Sequence, residues 1–189
     1  MGNRWIMFSY KRFRRTDAIK CTKDEVLVIP EGYTVLDCDF AYFVVREDLP
    51  RVKTLWIPAS VTYIETMRGD PSCGPYGYKN NPFSDIAVDE DNKVYASVGG
   101  VLFSKDMKRL ICYPCGKMNT EYHVPEGVEV VESEAFLNVE HLEHVYLPKS
   151  LKEIEEGAFK ACGKLEETDE IHAFPDAYME DCVKGDGSR

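Results

Sequence analysis

Residues 124–165 read VPEGVEVVESEAFLNVEHLEHVYLPKSLKEIEEGAFKACGKL, and the stretch says nearly the same thing twice. Val124-Pro125 recurs as Leu147-Pro148, Val128 as Leu151, Val131 as Ile154, Ala135-Phe136 as Ala158-Phe159 and Leu142 as Leu165. Each pair is separated by 23 positions. A fixed period of this size marks an array of stacked units, each too small to bury its apolar face alone.

The unit extends upstream. A short strand ending in proline is written as VLVIP (26–30), TLWIP (54–58), EYHVP (121–125) and HVYLP (144–148). A second apolar pair follows three and six residues after each proline: Tyr33/Leu36, Val61/Ile64, Val128/Val131 and Leu151/Ile154. Alternation puts residues two apart on one face, so Leu27/Ile29, Leu55/Ile57, Tyr122/Val124 and Val145/Leu147 are expected to point inward. Proline then ends the strand, because it has no N–H for the ladder. The spacing of Leu142, Val145 and Leu147 also occurs in Val52, Leu55, Ile57 and in Phe83, Ile86, Val88, which places a further unit in the irregular middle. Residues 66–82 are rich in Gly, Pro, Tyr and Asn and read as an inserted loop. In NKVYASVGGVLFSKDMKRLICYP the apolar runs break at Gly99-Gly100 and Lys105-Asp106, predicting a meander of three short strands. After Leu165 the register is expected to fail at Thr168 and Glu170, as in a terminal cap, and KGDGSR reads as a tail.

These residues resemble the BspA-type leucine-rich repeat, with its Leu/Ile-Pro, Val and Ile, Ala-Phe and Cys-x-x-Leu positions. FSDIAVDEDNKVYASVGGVLFSKDMKRLICYPCGK is similar to the hairpin insert of that family. Unit one lacks Ala-Phe, unit two is interrupted, and Val139 stands opposite Cys162. The resemblance implies an α/β repeat solenoid: a right-handed leucine-rich repeat coil of short parallel strands with a β-hairpin or meander insert. It divides the chain into a basic N-terminal cap segment (1–23), a repeat domain (24–165, with insert 65–120) and a C-terminal cap and tail (166–189). It implies binding of macromolecules, host adhesion included, and no enzymatic activity.

Of the 189 residues, 44% are hydrophobic and 30% charged, an ordinary globular composition. No apolar run reaches the length of a membrane span, so no membrane insertion is expected. The basic N-terminus lacks the apolar core of a secretory signal. A cytoplasmic location is expected for a full-length chain, and a cell-surface or secreted one if a signal peptide has been removed. Seven scattered cysteines do not form a disulfide framework and are expected as free thiols. Residues 1–23 carry a balance of +6, which leaves −16 on the rest of a chain of net charge −10. An acidic body argues against nucleic acid as the partner. The YKRFRRT stretch (10–16) is accordingly expected to dock on that body and cap the first unit rather than grip a polyanion.

Alternation also names the outward residue of each first strand: Val28, Trp56, Ala87, His123 and Tyr146. Stacked at about 4.8 Å per strand, they are expected to form one column on one face, a candidate ligand-binding surface for a protein or glycan such as host extracellular matrix. Exposed Trp and Tyr are the usual anchors of such surfaces, unless a loop or the insert covers them. Cys112-Tyr-Pro-Cys115 is a CxxC without a second ligand pair, a weak metal or redox signal. His141 and His144 in HLEH do not match HExxH and are expected as exposed loop residues. No phosphate-binding glycine motif or nucleophile elbow is present, the glutamates fall at solvent positions, and no cofactor is expected.

Overall fold

In a computed structural model, residues 10–18, 20–36, 52–65, 83–168 and 171–172 are described. The loop 66–82 and the tail lie outside them. Fifteen short strands dominate: β1 (Arg12–Phe13), β2 (Thr22–Lys23), β3 (Val26–Val28), β4 (Val35–Leu36), β5 (Thr54–Ile57), β6 (Tyr63–Ile64), β7 (Asp85–Val88), β8 (Tyr95–Val98), β9 (Val101–Ser104), β10 (Arg109–Cys112), β11 (Glu121–His123), β12 (Val130–Val131), β13 (His144–Tyr146), β14 (Glu153–Ile154) and β15 (Ile171–His172). Two short helices, α1 (Arg15–Ala18) and α2 (Gly163–Thr168), complete the described elements. Among the described residues helical content is therefore lower than an α/β class implies: the Ala-Phe segments at 133–138 and 156–161 are turns.

Like pairs with like in parallel. The first strands, which run into proline after β3, β5, β11 and β13, form the ladders β3-β5-β7 and β11-β13-β15. The second strands form β4-β6 and β10-β12-β14. Leu27, Leu55 and Ile86 lie in register and are all buried. Burying one such side chain is worth about 1.5–3 kcal/mol, so each added unit contributes to its neighbour's core. Phe136 and Phe159 stack at 4.7 Å, which is how the 23-residue period appears in the interior. A polar staple repeats as well. Ala59 N donates to Glu31 Oε1 at 3.0 Å and Gly32 N to Ser60 Oγ at 2.9 Å. Lys149 N donates to Glu126 Oε1 at 3.4 Å and Gly127 N to Ser150 Oγ at 2.9 Å.

At the N-terminal side, β1 pairs in parallel with β4 and β2 antiparallel with β3. Arg12 Nη1 meets Glu65 Oε2 at 2.8 Å, and Lys11 Nζ sits 4.0 Å from the Tyr33 ring centroid.

The meander forms as its turn residues dictate. Gly99 and Gly100, at φ +56° and +78°, make the tight β8–β9 turn that other residues resist. Its strands serve two cores. Val101, Phe103, Leu110 and Tyr113 pack with the C-terminal units, whereas Tyr95, Leu102, Ile111 and Cys112 pack with the N-terminal ones. This is why VLF and LIC are continuous apolar runs: both faces of the strands are buried. Asn92, the one fully buried polar residue among those described, ties the meander to the turn after β5. Its amide donates to Pro58 O and Val61 O at 2.8 and 2.9 Å and accepts from Val94 N and Tyr95 N at 2.9 and 2.8 Å.

The register expected to fail after Leu165 resumes later. β15 pairs with β13, placing Ile171 beside Val145 and His172 beside Tyr146. The helix Gly163–Thr168 takes up the additional residues, so a first strand follows three positions later than the period predicts.

Candidate functional site: the outward faces of the first strands

Alternation in each first strand sends one set of side chains to the core and the other to solvent. On β3, Leu27 is buried and Val28 is 43% exposed; on β5, Leu55 and Ile57 are buried and Trp56 is 37% exposed. Ala87 is half-buried, and Val28, Trp56 and Ala87 are neighbours in register. His123 is exposed and Tyr146 half-buried, and they too are register partners. Their rings stack at 4.2 Å with 9° between planes. One face of each ring is thereby covered by the other.

The five residues thus form two ladders rather than the single column expected from alternation. The reason lies at the edge of β7. Ile86 N donates to Gly100 O at 2.9 Å, Val88 N to Ser97 Oγ at 3.0 Å, and Gly116 N to Phe83 O at 2.9 Å. The meander and the loop after it occupy the edge that β11 would need.

The opposite sheet presents charges that are already matched. Arg109 reaches Glu132 at 2.8 Å and Glu155 at 2.7 Å. Glu129 receives Lys108 and Lys152, both at 2.6 Å, and these ammonium groups hold its carboxyl below the usual range. Such pairs orient the repeat more than they stabilise it, being partly exposed.

The other chemical candidates separate in space or chemistry. Cys21, Cys112, Cys115 and Cys162 are free thiols; Cys38, Cys73 and Cys182 lie outside the described residues. Cys112 is buried, and burial pushes the Cys115 thiol up to about 11, which keeps it protonated and unreactive near neutrality. No cluster of three or more metal-binding side chains occurs among the described residues. His141 and His144 are half-buried rather than exposed, and His144 opens β13 instead of lying in the loop. No helix among the described residues is long and apolar enough to cross a membrane.

Sequence reasoning missed a repeat unit inside the meander. β10 is the first member of the second-strand ladder, and Tyr113 fills the phenylalanine position 23 residues before Phe136. Tyr113 N donates to Ala135 O at 2.8 Å just as Phe136 N donates to Ala158 O at 2.8 Å. The Tyr113 and Phe136 rings stack at 5.2 Å. The signal was the 23-residue offset itself, hidden because the Ala is replaced by Cys112 and the strand before it is apolar on both faces.

A family model described as a BspA type Leucine rich repeat region (6 copies) matches residues 108–176. A leucine-rich repeat protein from Eubacterium ventriosum ATCC 27560 is 26% identical, with a TM-score of 0.53 over 70% of this chain and 32% of that one. The pneumococcal vaccine antigen PcpA is 20% identical, with a TM-score of 0.54 over 72% of this chain and 37% of its own, a likeness of fold alone. This chain therefore spans about a third of the length of these structures. Among curated proteins nothing matches. The fold is that of a leucine-rich repeat protein.

Proposed function

We propose that this chain, which carries BspA-type leucine-rich repeats over residues 108–176, is a non-catalytic recognition module built as a right-handed solenoid. It binds a protein or glycan partner through the outward faces of its first strands, with adhesion to host extracellular matrix as the biological setting. The observation that carries this is Trp56, a large aromatic side chain left partly in water within the Val28–Trp56–Ala87 ladder. Exposed aromatic residues on a rigid sheet anchor interfaces at little entropic cost. The second-strand sheet, its charges mutually paired, is a poorer competitor for a ligand.

The test is binding of the purified protein to immobilised matrix proteins and glycans, beside the Trp56→Ala/Tyr146→Ala double variant. Binding lost in the variant is the expected result; binding retained removes the two ladders as the site. A second reading is a structural repeat segment of a larger assembly, which the stacked, repeated units would suit. Absence of any ligand at micromolar concentration would support it over recognition.

A further inference from the structure

Between β7 and β11 the row of first strands is interrupted, and the sheet order shows by how much. Leu55 precedes Ile64 of its unit's second strand by nine residues, and Tyr122 precedes Val131 by nine. Ile86 precedes Tyr95 by the same nine, so β8 is the second strand of the β7 unit as β12 is of the β11 unit. Among the second strands, β9 and β10 stand between β8 and β12. Among the described residues, the row of first strands has no strand at either of those two positions. The 23-residue period places one at 98–100, ahead of β11 at 121–123, and there the chain turns at Gly99-Gly100 instead. That turn takes the position beside β7, because Ile86 N donates to Gly100 O. With strands spaced at about 4.8 Å, one strand's place remains beside β11.

β11 turns an open edge to that place. It ends its sheet, with β13 as its one neighbour. Val124 N donates to Tyr146 O and His144 N donates to Thr120 O, so Thr120, Tyr122 and Val124 aim their backbone groups at β13. In a parallel ladder alternate residues serve opposite edges, which turns the N–H and C=O of Glu121 and His123 the other way. Neither of these residues has a backbone partner on that side among the described residues, and both are exposed. The Glu121 carboxylate has no ion-pair partner among the described residues either, on a body that carries −16 beyond its basic N-terminal segment.

We propose that this edge receives an extended segment of a partner protein, added as a strand beside β11, with a basic residue opposite Glu121 and an apolar one opposite Tyr122. Backbone donors and acceptors repeating at every second residue match another extended backbone. A helix, whose N–H and C=O groups bond within it, does not satisfy them. Directly opposed residues share a face of the sheet. The residue opposite Tyr122 therefore turns inward with it, toward the C-terminal core on which Tyr122 packs. The residue opposite Glu121 turns outward, where an opposite charge is favoured and the acidic body steers a basic segment in. A place one strand wide, with the N-terminal units on its far side, admits a single chain and not the folded units of a second copy. This inference rests on the recognition function but uses a strand edge, whereas Trp56 belongs to a strand face, so separate variants test the two.

The probe is a fluorescent peptide, acetyl-TTVKVTT-amide, titrated by anisotropy against the full chain to about 1 mM. Its central lysine can lie opposite Glu121 with a valine opposite Tyr122 in either chain direction. Two further peptides carry N-methyl groups on one or the other alternate set of amides. Since alternate amides face β11, one set should weaken binding by about tenfold or more and the other should leave it nearly unchanged. His123→Pro removes an outward N–H while Tyr122 and Val124 still pair with β13, and should also weaken binding about tenfold. His123→Ala keeps that N–H and should bind within about threefold of the wild type. Glu121→Lys should reverse the preference, favouring acetyl-TTVEVTT-amide by about threefold. Circular dichroism confirms that each variant is folded, and the methylated peptides read the edge without altering the protein. No binding at about 1 mM, the same affinity for both methylated peptides, or wild-type binding by folded His123→Pro overturns the proposal. Trp56→Ala should leave peptide binding unchanged. Peptide binding lost in Trp56→Ala and kept in His123→Pro would overturn the edge and leave the recognition function standing.

Discussion

Replacing Asn92 with alanine removes the polar knot between the meander and the N-terminal units. The fully buried side chain makes four hydrogen bonds, two donated and two accepted, three of them buried and the one from Val94 N part-buried. A typical net contribution is about 1 kcal/mol per bond, and buried groups left unpaired raise the loss toward their desolvation cost. Two carbonyls and two amides lose their partner at once, though water entering the vacated space would recover part of this. A cost of about 3–5 kcal/mol follows, a large share of the 5–15 kcal/mol that domains possess. Urea unfolding of Asn92→Ala should show a lower midpoint with an unchanged slope, because the surface exposed on unfolding is the same. The isosteric Asn92→Asp supplies the control. At neutral pH its carboxylate would face Pro58 O and Val61 O, acceptor against acceptor, which raises its folded pKa above the unfolded value. The native state then binds the extra proton, so Asn92→Asp should lose least stability in acid and most as pH rises through its folded pKa. A loss below about 1 kcal/mol in Asn92→Ala would refute the account, since that is the worth of one bond, not four.

Glu134 adopts φ +58° where the next repeat has Gly157 at +70°, so Glu134→Gly should relieve strain and raise stability by roughly 0.5–1 kcal/mol in thermal or urea unfolding. Gly100→Ala should cost about 2 kcal/mol or more by the same assay, because its Cβ would lie 2.1 Å from Asp85 Oδ1 on a backbone at φ +78°. Arg109→Met should cost only about 1 kcal/mol, with the loss shrinking in high salt, since the Glu132 and Glu155 pairs are partly exposed. Cys115 should label slowly with a thiol reagent near neutral pH and faster as pH approaches its thiol value of about 11, while urea-unfolded protein labels quickly at neutrality.

The repeat was legible because its physics is local and periodic. Proline at a fixed place ends the first strands β3, β5, β11 and β13, and apolar residues two apart can only face one way. The inward residues Leu27, Leu55, Val124 and Val145 are buried accordingly. The three strands of the meander were legible too, since a Gly-Gly turn and a Lys-Asp break leave little choice of boundary. The leucine-rich repeat fold, and the BspA-type repeats over 108–176, followed from these positions.

Tertiary structure decided what depends on who occupies an edge. Val28 to Tyr146 were equivalent by alternation, but hydrogen bonds that β7 donates to the meander divide them into an apolar ladder and a histidine–tyrosine ladder. Likewise β10 joins the second-strand ladder because its opposite edge pairs with β12, a long-range choice that no window of sequence encodes. The sequence by itself determined which face each residue takes, because side-chain alternation is a property of one strand. Which faces become one surface was settled only by strand pairing, because backbone hydrogen bonds can be claimed once.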